Sequence, residues 1–187
     1  MKKTAKKALA ARLCLPLKWW YSLASGGRIK FGKNVIVNHR FRFTGKGRLH
    51  IGDNAILWAH KEPNEFITFG PDALIEVGAR TRLNGLSVQC KKHVSIGADC
   101  MVGSSMIMDT DFHSIYFDRR DEPEFVKTWP VIIKDRVWLA GQCAILKGVT
   151  VHEEAVVGFR AVVAKDVPAK TVVAGNPARE VSKIEPA

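Results

Sequence analysis

Asp109-Thr110-Asp111-Phe112-His113 is the stretch whose residue types and spacing offer the clearest chemistry in this chain. An imidazole has an ordinary pKa of about 6.5, so a histidine can take and return a proton near neutral pH. The two carboxylates close by are placed to fix its tautomer. His113 is therefore a candidate general base, although a histidine alone in a loop is more often a surface or structural residue. Asp111 is a candidate orienting or substrate-binding residue, although an aspartate at the mouth of a loop also makes an ordinary turn cap. The other histidines, His39, His50, His60, His93 and His152, have no partners at metal-ligand spacing. Cys14, Cys90, Cys100 and Cys143 form no C-x-x-C pair and no disulfide framework, and buried thiols are expected. Gly45-Lys46-Gly47 lacks the third glycine and the strand-to-helix setting of a nucleotide loop, so it reads as a turn.

These residues need a scaffold, and residues 131–168 supply its pattern. Stepping by six from Ile133 gives Leu139, Ile145, Val151, Val157 and Val163, all aliphatic. Stepping by six from Val137 gives Cys143, Val149, Ala155, Ala161 and Val167, all small or apolar. A period of six matches neither an amphipathic helix nor simple strand alternation. It matches a short strand and a fixed corner, repeated, with one aliphatic residue per repeat pointing inward. Such a solenoid buries its core by stacking each repeat on the next.

Upstream the period is interrupted. The strand pattern begins at Ile29, and Ile51-Gly52-Asp53-Asn54 forms the first hexad-like corner. Residues 58–73 lose the phase and read as a loop or irregular coil, and a slip at Gln89–His93 predicts a bulge or loop. The longest break is the excursion Asp109–Pro130, 22 residues without hexad phase that open on the candidate base. A long excursion from a regular solenoid is costly to order and tends to be functional. Gly175-Asn176-Pro177 signals a turn that sends the tail back alongside the solenoid.

With these hexads and this excursion the chain resembles the hexapeptide-repeat acyltransferases, of the sugar or polysaccharide O-acetyltransferase type. The resemblance spans about residues 50–183 and is most specific over 131–178, where VVAGNPAREV follows the family's closing motif. It implies an all-β fold, a left-handed parallel β-helix, and a homotrimer. It also implies acetyl coenzyme A as co-substrate, bound along a groove between subunits. Carried over residue by residue, His113 is the general base, and the backbone amide of Gly141 holds the oxyanion just after Val137-Trp138-Leu139-Ala140. Trp138 borders the site, and Asn84 matches an asparagine that touches the acceptor sugar. Gly158, Phe159, Ala164, Lys165 and Arg179 lie along the donor, with Lys183 for a phosphate. The departure is Phe159-Arg160, where the family carries two small residues; a phenylalanine there narrows the channel or lies against the adenine. Carbonic anhydrases of the same fold hold zinc with three imidazoles, which are missing around His113, so no metal is expected. The implied reaction is acetyl transfer to a sugar hydroxyl in polysaccharide or lipopolysaccharide assembly. The alternatives are N-acetyl transfer to an amino sugar or other small amine, and a non-catalytic scaffold at a membrane surface.

Charge divides the chain in two. The net charge is +11, yet the first 52 residues hold thirteen Lys or Arg and no acid, and the remainder holds sixteen bases against eighteen acids. The expected organisation is a basic amphipathic segment over residues 1–28 and the β-helix domain over 29–187. Within the first 24 residues Leu9, Leu13, Leu17 and Trp20 mark one helical side, expected either to pack on the protein or to meet an anionic membrane. Arg12, Pro16 and Lys18 break the apolar run, which argues against a signal peptide or a spanning helix. Nothing accompanies the bases that would read nucleic acid. A cytoplasmic protein, peripheral at the inner membrane face, follows from these expectations, with a sugar or glycolipid as the acceptor.

Overall fold

The computed structural model describes residues 9–185. Three parallel sheets run along one axis as the faces of a triangular prism. Face I stacks Ile29–Phe31, Arg48–Ile51, Leu74–Val77, His93–Ile96, Val131–Ile133 and Thr150–Val151. Face II stacks Ile36–Val37, Ile56–Leu57, Arg82–Leu83, Met101–Val102, Trp138–Leu139, Val156–Val157 and Thr171–Ala174, and Arg179–Lys183 folds back antiparallel on the last of these. Face III stacks Phe41–Gly45, Asn64–Thr68, Ser87–Cys90, Met106–Met108, Ala144–Ile145 and Val162–Val163. As far as Val163 the chain visits I, II and III in turn, so every parallel pairing joins consecutive coils and each coil stacks on its neighbours.

The hexad explains the interior. Ile133, Leu139, Ile145, Val151, Val157 and Val163 are all buried, and so are Val137, Cys143, Val149, Ala155, Ala161 and Val167. Two residues per hexad therefore point inward, not one: a large one within the strand and a small one at the corner before it. At about 2–5 kcal/mol for truncating a buried leucine or isoleucine to alanine, each of the larger side chains matters to the stack. Coils approach closely at the edge between faces I and II. A methyl group on Gly78 would sit 2.4 Å from the carbonyl carbon of Gly97, so no other side chain fits there.

Two expectations need correction. Residues 58–73 are not a loop throughout, because Asn64–Thr68 is a full strand of face III, paired with Phe41–Gly45 on one side and Ser87–Cys90 on the other. Its inward Asn64 and Thr68 are polar, which hid the strand, and both are buried and hydrogen bonded. The slip at Gln89–His93 is an ordinary corner, and the fully buried Asp109 seals it by accepting the N–H groups of Lys91, Lys92 and His93 at 2.7, 2.7 and 2.8 Å. The N-terminal helix α1, Leu15–Ala24, is preceded by a helical turn over residues 9–13. Pro16 sits in its first turn, and Gly26 and Gly27, both at positive φ, close its end. Ala11, Cys14 and Lys18 are buried against the first coil, with Leu17 and Tyr21 partly buried beside them. Leu9, Leu13 and Trp20 are exposed. Of the side expected either to pack on the protein or to meet a membrane, Leu9, Leu13 and Trp20 thus face away from the first coil and Leu17 faces it. The lysines at positions 2, 3, 6 and 7 lie outside the described residues.

Candidate active site

His113 stands on the excursion, which leaves the prism at the edge between faces III and I. Its ends are tied together by an isolated antiparallel bridge between Thr110 and Thr128, by Asp111 N–H to the Lys127 carbonyl and by Trp129 N–H to the Asp109 carbonyl. Phe112 adopts a φ of 64°, a conformation that costs a non-glycine residue energy. Its ring meets that of Phe69 edge-on at 5.1 Å, which holds the turn in place. His113 follows directly, with its N–H donated to the Asp111 carbonyl.

The two carboxylates expected to orient His113 do other work. Asp109 seals the corner described above. Asp111 faces the Lys147 ammonium at 2.5 Å and so fastens the loop to the next coil. The carboxylate beside the imidazole is Asp121, with Oδ1 at 3.3 Å from Nδ1 of His113. Sequence reasoning missed it because it lies eight residues on, beyond the 3-10 turn Phe117–Arg119 and before the next, Pro123–Phe125. A carboxylate on that side favours the proton on Nδ1 and leaves the Nε2 lone pair as the base. Both side chains are largely exposed, so the contact is a weak one in the isolated chain.

A second set of residues gathers at the edge between faces II and III. A groove of about 450 Å³ is lined there by Trp58, His60, Arg82, Asn84, Met101, Trp138 and Gly141. Outward positions of face II form its floor: Ile56, Arg82, Met101 and Trp138 stand side by side in register. Asn84 accepts the His60 N–H through Oδ1 at 3.0 Å. Trp58, His60 and Arg82 joined the site unforeseen; the register of Trp58 and His60 with Asn84 depends on how residues 58–73 fold, which the hexad phase does not reveal, whereas Arg82 stands two residues before Asn84. No acceptor among the described residues takes the N–H of Gly141, so that amide is available to a ligand.

The donor-side residues divide among three edges. Gly158 and Phe159 continue the Gly141 column along the edge between faces II and III, and Arg179 pairs with Ala174 beside it. The Phe159 ring lies against Gly141, and Arg160 bends back over that ring while its Nε bonds Gln142. Ala164 and Lys165 sit at the edge between faces III and I, both exposed. Lys183 is at the far end of the tail, where its ammonium bonds Glu180 at 2.8 Å and Thr171 at 3.0 Å. It is thus held away from the other donor-side residues.

His113 and Gly141 accordingly lie on different edges of one prism. Gly141 and Lys147, the loop's anchor, are six residues apart across face III, which is roughly 15–20 Å of nearly extended chain. A single chain does not bring the two together. All four cysteines are buried and free, and burial raises the Cys90, Cys100 and Cys143 thiols, Cys100 to about 11, so none is poised as a nucleophile. Among the described residues no three His, Cys, Asp or Glu side chains converge as a metal site would require.

Comparison with known proteins places this geometry in context. No family model matches the chain. Galactoside O-acetyltransferase of Escherichia coli is 27% identical over 135 residues, 72% of this chain and 63% of that protein. A second Escherichia coli protein, provisionally named the colanic acid biosynthesis acetyltransferase WcaF, is 28% identical over 149 residues, 80% of this chain and 66% of that protein. The chain spans 38 to 66% of the length of the curated relatives it matches. A hexapeptide-repeat acetyltransferase of Vibrio cholerae, solved with acetyl coenzyme A, superposes with a TM-score of 0.64 at 22% identity over 99% of this chain and 87% of the other. The shared architecture is the left-handed parallel β-helix. The chain thus shares the fold of a hexapeptide-repeat acetyltransferase, and in sequence it is similar to the galactoside and colanic acid acetyltransferases over 72 to 80% of its length.

Proposed function

We propose that this protein transfers an acetyl group from acetyl coenzyme A to a sugar hydroxyl, in the assembly of a polysaccharide or lipopolysaccharide. One observation carries the reading: an amide without an acceptor, Gly141, opens into a groove walled by two exposed tryptophans and Asn84. Indole faces suit the apolar side of a sugar ring, and a few placed polar groups orient it. The names of the galactoside and colanic acid relatives support a saccharide acceptor.

The chain's residues also fit the donor. Gly103, Ala140, Gly158 and Ala174 point outward along face II with at most a methyl group, so an extended pantetheine arm can lie against the backbone. Arg160, Arg179 and Lys165 are exposed toward the C-terminal coils, where phosphates need cations. Phe159 departs from this pattern and narrows the groove beside Gly141.

In the proposed reaction His113 accepts the proton of the attacking hydroxyl on Nε2 while the alkoxide bonds to the thioester carbonyl carbon. The Gly141 N–H takes up the oxyanion. Collapse breaks the carbon–sulfur bond, and the imidazolium returns its proton to the departing thiolate. Because His113 and Gly141 occupy different edges, the reading calls for a closed trimer in which one protomer's loop reaches the groove of the next. Ile115 and Phe117 at the loop tip, 72% and 85% exposed, suit coverage by such a neighbour.

Mass spectrometry after incubation with carbon-13 acetyl coenzyme A and a panel of neutral, acidic and amino sugars tests the proposal. An alkali-labile acetyl ester is the expected product. An alkali-stable amide would replace O-transfer by N-transfer, and no labelled sugar at all would overturn the reading.

A further inference from the structure

The N-terminal helix is built inside out. On a helix that merely covers a protein, lysine faces water and leucine and tryptophan face the core. Here the reverse holds: Lys18 is buried at 7% exposure, whereas Trp19 is 70% exposed, Leu13 74% and Leu23 64%. Leu9, Leu15 and Trp20 share the outward arc, each more than half exposed. The inward arc holds the small residues Ala11 and Cys14, and the helix is pinned by the Cys14 thiol on the Val37 carbonyl and the Tyr21 hydroxyl on the Phe41 carbonyl. Its orientation is therefore fixed by specific bonds, and none of the described residues covers the apolar arc.

The sequence that carries the arc is basic, although the Asp53 carboxylate of the second coil accepts the Lys33 N–H at 2.8 Å. Thirteen bases and no acid occur in the first 52 residues. Of the nine between Arg12 and Arg48, none forms an ion pair among the described residues. Beside the helix a hollow of about 430 Å³ is lined by Leu15, Trp19 and Lys30, so an ammonium sits next to the apolar arc.

We infer that this face docks on an anionic lipid surface. A second copy of the chain would set the same unpaired bases against each other. Anionic headgroups supply the counter-charge, and the interfacial layer accommodates indole and leucine side chains together. The helix lies at the N-terminal end of the prism, against Ile29–Phe31, so docking would stand the β-helix on its first coil. Among the described residues no helix is long and apolar enough to cross a membrane, in keeping with a helix lying in the interface.

The test is co-sedimentation of the full chain with vesicles of phosphatidylcholine alone and with about one third phosphatidylglycerol, over a salt series. Binding to the anionic vesicles only, weakening with salt, is expected. Lys30→Gln/Lys33→Gln should lower the affinity about fivefold per charge. Trp19→Ser/Trp20→Ser should lower it more than about tenfold, with the oligomer mass and any transfer to a soluble sugar unchanged. Absence of binding, equal binding to both vesicle types, or a Trp19→Ser/Trp20→Ser protein that dissociates without lipid would each overturn the inference; the last would make the face a protein–protein contact. None of these readouts depends on the acetyl-transfer proposal.

Discussion

The ring of Phe159 lies against the backbone of Gly141, so close that a methyl group on the glycine would meet Cδ2 at 3.6 Å and Cε2 at 3.7 Å. If the Gly141 amide receives the oxyanion, this ring bounds the space for the acyl group. Phe159→Ala should raise kcat/KM for butyryl over acetyl donors by about tenfold, the order expected for methylene discrimination in a pocket. Phe159 is 60% exposed, so the melting temperature should barely move. An unchanged donor preference would show that the ring does not limit the acyl group.

His113→Ala should reduce turnover by about 10² or more, the range of general-base catalysis. Asp121→Asn should cost less, because its carboxylate orients the base without touching the reacting atoms. Both variants should keep the wild-type melting temperature, since both side chains are mostly solvent-exposed. Full activity in His113→Ala would remove the imidazole from the mechanism.

Asp109 shares the excursion with His113, yet its task is structural. Three backbone N–H groups converge on its buried carboxylate. Asp109→Asn turns one acceptor into a donor facing those N–H groups, and urea unfolding should show a loss of about 3 kcal/mol. A loss below about 1 kcal/mol would mean that water replaces the carboxylate at that corner.

How much of this was legible beforehand varied with the side chains that carry each feature. The run from Ile133 to Val163 declares itself because every inward position is aliphatic. Asn64–Thr68 does not, because Asn64 and Thr68 point inward and satisfy neighbouring backbone instead of supplying hydrophobic phase. Gly141 and Asn84 came from the family resemblance, and both line one groove. The Asp121 contact could not be read from the sequence, since loop closure through Thr110 and Thr128 brings it there. The side by which the N-terminal helix packs on the prism was not legible, for a physical reason. The first coil accepts small side chains closely, so Ala11 and Cys14 pack where a count of leucines favours the opposite side.

Lys18 offers a check on that facing. Burial lowers its pKa below the ordinary 10.5. Between the folded and unfolded pKa values the unfolded chain binds more protons, so stability should rise as pH climbs toward 10.5. Lys18→Met should remove this pH dependence and stabilise the protein by about 1 kcal/mol at pH 7. A destabilised variant would mean that the ammonium makes a contact the fold needs.

The central claim is that the base and the oxyanion donor of one site come from two protomers. It is tested most directly by mixing two inactive variants, His113→Ala and Asn84→Ala/Trp138→Ala, through co-refolding. In a trimer with shared sites, an equal mixture pairs an intact loop with an intact groove at about one site in four. Activity should therefore return to roughly a quarter of wild type. If the mixed trimers stay as inactive as their parents, loop and groove act within one chain, and the shared site is wrong.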